Sequence, residues 1–171
     1  MAVMLPAYST AHAASDAKGN KLSMGDTSFI KDAATGGMME VELGKLAVDK
    51  AGSDKVKEFG RQMQEDHSKA NDELKQLAAN KGVELPTSLG VKQKLTVQRL
   101  SKLSGRDFDR QYMSTMINDH KNDVSNFQKE AAKAKDPDVK AFAAKTLPTL
   151  KKHLQMAETT GQEVKATSAK K

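Results

Sequence analysis

The 171-residue chain has no cysteine and no tryptophan, only two tyrosines, five phenylalanines and four prolines. Without cysteine, disulfides, thiolate nucleophiles and cysteine-held zinc or iron–sulfur centres are excluded. A membrane helix needs about 18 or more apolar residues in succession, and no segment of the chain comes near that length. Aromatic stacking platforms and arginine-rich faces are missing too. The lysines are interleaved with acids along every segment, so the net charge of +6 and pI near 9.4 describe a solvated surface, not a nucleic-acid interface. What remains is dominated by Ala, Lys, Leu, Asp and Met, a mixture that favours helix throughout.

The first residues, "MAVMLPAYSTAHAASDAKG", join a short apolar stretch to Ala11-His12-Ala13. That A-x-A pattern followed by a polar spacer is the mark of a secretory signal, although the basic start of such a signal is missing. Residues 1–25 are expected to be a signal-peptide remnant and disordered spacer, with cleavage after Ala13 and a periplasmic or secreted destination. Residues 26–163 are expected to form one domain, and 164–171 a disordered basic tail.

Within the domain, apolar residues recur at helical spacing. Four long helices are expected over about 26–51, 54–80, 106–135 and 138–163, with Gly52-Ser53-Asp54, Lys81-Gly82 and Asp136-Pro137 as punctuation. The segment joining the second to the third is too long for a turn and carries a short helical pattern of its own in Leu95, Leu100 and Leu103. The halves are related. "SDKVKEFGRQM" from 53 and "DPDVKAFAAKT" from 136 share a D-x-V-K-x-F frame at an offset of 83, and Phe29 and Phe108 suggest a similar offset of 79. Two helical hairpins joined by one long crossover make an all-α, ferritin-like four-helix bundle.

Three histidines fall on core stripes of three different helices: His67 in the second, His120 in the third and His153 in the fourth. The first helix has none. Its inward stripe reads Ile30, Ala33, Gly37, Glu40, Gly44, Ala47, Ala51, and "TGGMMEVELGKLA" accepts glycines that each cost about 1 kcal/mol in a helix interior. At about 1.5 Å per residue, Glu40, His67, His120 and His153 all stand roughly 20 to 23 Å from their helix starts. One inward ligand-type residue per helix at one height is what a buried tetrahedral site requires, so these four are expected to hold one zinc, copper or iron ion. Gly37 and Gly44 are expected to leave room beside Glu40. Asp66 and Asp119 are candidate acceptors for imidazole N–H groups, Asp123 is a candidate extra carboxylate, and Tyr112 a candidate hydroxyl near the site. Met63, Met116 and Met156 shadow the histidines, a pattern that serves either copper(I) or ordinary core filling.

The stretches "GGMMEVELGKLA", "DHSKANDELKQLA", "KGVELP", "FDRQYM" and "KAFAAKTLPTLKKHLQMA" resemble the bacterial domain-of-unknown-function family 4142 over about 26–157. The resemblance implies a ferritin-like fold and export, and brings no established activity. Ferritin-like oxidases carry Glu-x-x-His on two helices, but here Gln64, Ile117 and Leu150 stand three before the histidines. The pattern therefore suits a single ion in metal handling or a stress response, not an iron pair. The contrasting expectation is a helical interaction protein of the cell envelope in which the same residues form a buried polar network. Metal-dependent oxidation is a third, weakened by four protein ligands that leave no open position.

Overall fold

The computed structural model describes residues 22–169. Five helices follow in order, α1 (Met24–Lys50), α2 (Asp54–Asn80), α3 (Val91–Ser101), α4 (Gly105–Lys133) and α5 (Pro137–Ala169), and no strand occurs among the described residues. α1 packs chiefly on α2 and α4 on α5, while α2 meets α5 and α1 meets α4 to close a four-helix ring. Every neighbouring pair is antiparallel. Phe29 at the start of α1 touches Phe127 late in α4, and Lys81 at the end of α2 bonds Asp136 just before α5. That order, with the crossover carrying the chain back along the bundle, is the ferritin-like arrangement.

Two differences from expectation concern the ends. α5 runs on to Ala169, past the expected end at Glu163, because Val164 still finds a buried place in the upper core. Residues 1–21, including His12 and the expected signal, and 170–171 lie outside the described residues. In the crossover, Leu100 of α3 and Leu103 just after it pack on the bundle, whereas Leu95 faces solvent.

The hairpin repeat is closer than the sequence suggested. Asp26 in α1 accepts from the Lys135 and Asp136 amides of the α4–α5 turn, at 3.2 and 3.0 Å. Asp109 in α4 accepts from the Gly52 amide of the α1–α2 turn at 3.1 Å, and from the Ser53 amide. Each member of the second clasp sits 83 positions after, or before, its counterpart in the first, so the Phe29/Phe108 pairing at 79 gives way to Asp26/Asp109 and Phe29/Tyr112 at 83. Each half thus grips the other's turn. At the same end Asp136 caps α5, accepting from the Asp138 and Val139 amides at 2.9 and 3.1 Å while pairing with Lys81.

The apolar interior is divided. An upper cluster gathers Leu43, Phe59, Met63, Leu100, Phe108, Tyr112, Met113 and Met116; a lower one gathers Phe29, Ile30, Leu74, Phe127, Val139, Phe142 and Leu150. Between them lies a polar layer. α1 and α2 approach closely beside it, because a Cβ on Gly44 would stand 2.7 Å from the Gly60 carbonyl oxygen and one on Gly60 would stand 2.6 Å from Ala47 Cβ.

Candidate metal centre

The polar layer consists of Glu40 from α1, His67 from α2, His120 from α4 and His153 from α5, all buried. The helical register of each element delivers one polar residue to the same height, in agreement with the sequence spacing. The imidazole rings lie 5.2 to 5.7 Å apart, centre to centre. One nitrogen from each of the three histidines falls within 4.8 Å of the other two.

The hydrogen bonds divide each ring into a committed and a free side. His67 Nδ1 lies 2.9 Å from Glu40 Oε2, His120 Nδ1 lies 2.9 Å from the Met116 carbonyl oxygen, and His153 Nε2 lies 2.8 Å from Asp66 Oδ2. Each of these partners is an acceptor, so each fixes the N–H on that nitrogen and leaves a lone pair on the other. The remaining nitrogens, His67 Nε2, His120 Nε2 and His153 Nδ1, are buried with no hydrogen-bond partner. A ligating imidazole is normally held in this way, with its second nitrogen donating to a carboxylate or carbonyl that sets ring orientation and basicity. Gln62 Nε2 donates to the same Asp66 oxygen at 2.7 Å and steadies it.

Electrostatics favour the same state. Burial depresses His67 and His153 to about 4, against the opposing pull of nearby aspartates, and lowers His120 as well. At neutral pH all three rings are uncharged, so the His67–Glu40 contact is an imidazole N–H donating to a carboxyl group and not a pair of full charges. Burial pushes Glu40 up to about 7, with His120 opposing and Asp119 adding to the rise. It pushes Asp123 up to about 8, with Glu40 contributing.

The sequence-predicted residues do not all play the same part. Glu40 joins the layer and touches two histidines, but its Oε2 serves His67, and the group of three mutually close donors comprises the histidines. Its Oε1 is unpartnered, 3.4 Å from His120 Nε2. Asp66 is an imidazole acceptor across the α2–α5 interface. Asp119 is not: its Oδ2 is buried without a partner, and burial raises its carboxyl while Lys92 and Arg99 of α3 pull the other way. Asp123 lines a small cavity beside Glu40 and His67 and stays outside the group of three. Tyr112 is fully buried, stacked on Phe108 at 5.3 Å, with its hydroxyl unpartnered. Met63 and Met116 belong to the upper apolar cluster, and Met156 packs at its edge. Gly37 and Gly44 serve helix contact, since a Cβ on Gly37 would collide with the Asn71 side chain and one on Gly44 with the α2 backbone. The Asp26 and Asp109 clasps were missed; the offset of 83 was the signal that could have found them.

Comparison with known proteins agrees with this fold. Residues 11–160 match the family described as Domain of unknown function (DUF4142), and the chain belongs to that family. No curated protein matches. Among solved structures, a DUF305 fragment from Deinococcus radiodurans is 15% identical with a TM-score of 0.71, covering 82% of this chain and 98% of that one. CopM in its Cu(II)-bound form is 16% identical with a TM-score of 0.68, covering 81% of this chain and 96% of that one.

Proposed function

We propose that this chain is an exported metal-handling protein that binds one transition-metal ion in the polar layer. His67 Nε2, His120 Nε2 and His153 Nδ1 are the donors, and Glu40 orients His67 and offers Oε1 as a fourth. One observation carries this reading: three neutral imidazoles, each anchored by an acceptor on one side and unpartnered on the other, stand within 4.8 Å of one another by one nitrogen each inside the bundle. A self-sufficient polar network would have satisfied those atoms, since a buried group left without a hydrogen bond costs about 1–3 kcal/mol. The reading as a metal-free interaction protein is weaker for that reason.

Two atoms that are each about 2.0–2.1 Å from one tetrahedral ion lie about 3.3 Å from each other. Glu40 Oε1 and His120 Nε2, both unpartnered, are 3.4 Å apart, which suits two corners of such a site. Three imidazoles and a carboxylate favour copper(II) and zinc(II), with iron(II) weaker in the ordinary affinity order. The Cu(II)-bound state of CopM, a protein of the same fold, supports copper first. A centre closed by the protein on all sides suits holding an ion better than turning over a substrate.

Calorimetric titration of chelator-stripped protein with Cu(II) and with Zn(II) tests the proposal. The expected result is saturable binding at the histidines, lost at least tenfold in His120→Ala and in His67→Ala. Affinity unchanged in both variants would remove the site. Export is tested separately by N-terminal sequencing of protein recovered from the native host's envelope, where an intact N-terminus defeats it.

A further inference from the structure

Between the histidine layer and the lower core lies a cavity of about 30 Å³, walled by α1, α2, α4 and α5. Glu40, His67, Asn71, Asp123 and Thr146 supply its polar wall, and no lysine or arginine lines it. Glu40 is 2% exposed with Oε1 unpartnered. No hydrogen bond or ion pair reaches the half-buried Asp123 carboxylate among the described residues. Thr146 already donates its hydroxyl to the Phe142 carbonyl at 2.9 Å and so leaves an oxygen, not a proton, facing the space. Two carboxyl groups thus line one interior space that no lysine or arginine enters.

The glycine opposite Asn71 sharpens the point. Any side chain at Gly37 would run into Asn71 Oδ1, so α1 gives up its Cβ where an amide oxygen comes to the cavity wall. Apart from His67, whose ring borders both, the donors around the space are oxygens, whereas the layer above gathers imidazole nitrogens. Oxygen donors select hard divalent ions such as Mn(II) or Mg(II), and nitrogen donors select copper and zinc.

We propose that this cavity is a second cation position, in which Glu40, Asp123 and Asn71 hold a hard divalent ion of the Mn(II) type. Glu40 is shared with the histidine centre, and in that sharing the inference rests on the function proposed above. The chain then carries two unlike ions side by side, one on nitrogen and one on oxygen.

The test begins with protein loaded with one equivalent of Zn(II) and dialysed, followed by Mn(II) titration read from the electron paramagnetic resonance signal of free Mn(II). The expected result is one Mn(II) taken up per chain without loss of zinc. Asp123→Asn should abolish that uptake and keep the zinc, and Asn71→Ala, which leaves both carboxylates in place, should weaken it about tenfold. No uptake by the zinc-loaded wild type, or equal uptake by Asp123→Asn with its helical circular dichroism intact, overturns the inference. Failure to retain zinc in the first step is a distinct result that counts against the histidine centre itself.

Discussion

Replacing Asp66 with alanine isolates the part played by a group that touches the histidine centre only through another residue. Asp66 Oδ2 is the acceptor for His153 Nε2; His153 is 1% exposed but the Asp66 side chain is 22% exposed, so water can reach part of the space that it vacates. A buried N–H left without a partner costs about 1–3 kcal/mol, and water access puts this loss at the low end, about 1 kcal/mol or about 2 to 4 °C in the melting temperature of the metal-free protein. The larger effect is on metal. Without its acceptor His153 can place its proton on Nδ1, the buried nitrogen with no partner, and lose its lone pair there. Loss of such a partner reduces metal affinity about 10- to 100-fold, or about 1.4 to 2.8 kcal/mol. Asp66→Asn keeps an oxygen acceptor and should retain most of the affinity. Burial alone would raise the Asp66 carboxyl, but the hydrogen bonds from His153 and Gln62 outweigh it and hold it low, so the aspartate is ionised throughout the neutral range. Competition titrations of the two variants against a chromophoric chelator measure the difference. Wild-type affinity in a folded Asp66→Ala protein would refute the assignment of His153 Nδ1 as a donor.

Between pH 7 and about 8 the imidazoles are largely neutral in both folded and unfolded chains, while Glu40 and Asp123, raised to about 7 and about 8 from 4.5 and 3.8, still hold protons in the fold. The folded state binds more protons there, so metal-free protein should lose stability as pH rises through that window, and Glu40→Gln should flatten the slope in thermal melts. A profile that rises between 7 and 8 would contradict the protonation of these two acids. Gly44→Ala should cost about 1–3 kcal/mol in urea unfolding because its Cβ meets the Gly60 carbonyl, whereas Gly36→Ala, with nothing within 4 Å of the new methyl, should stabilise by up to about 1 kcal/mol. Asp26→Ala and Asp109→Ala should each lower the melting temperature, since each removes the acceptor for amides of the opposite hairpin's turn.

Much of this was legible because helices report themselves through period and punctuation. Counting residues from each helix start put Glu40, His67, His120 and His153 at one height, and they are in contact. Sequence spacing gives height and face but not the rotation of a ring. Which nitrogen of His153 is free depends on Asp66 across the interface, and the split of Glu40 between His67 and His120 depends on a carboxylate torsion. Asp119 illustrates the same limit: it precedes His120 as Asp66 precedes His67, yet it points toward the side covered by α3. The glycines were readable as exceptions without being readable as causes, because a close helix approach involves a partner, Gly60 or Asn71, that lies many residues away. α5 outran its expected end because a polar sequence is no obstacle to helix when a single Val164 can still be buried.

The 83-residue register between the two clasps bears on how such a centre could arise. A lone hairpin pairing with an identical copy about a two-fold axis would make both clasps at once, and would set Glu40 opposite its counterpart Asp123. Such a dimer can present only even numbers of any off-axis group. Three imidazoles therefore require two unlike halves, and the halves do differ: position 37 is glycine while its counterpart, 120, is histidine. An odd-numbered donor set is open to a chain with two unlike halves and closed to a symmetric pair of identical ones.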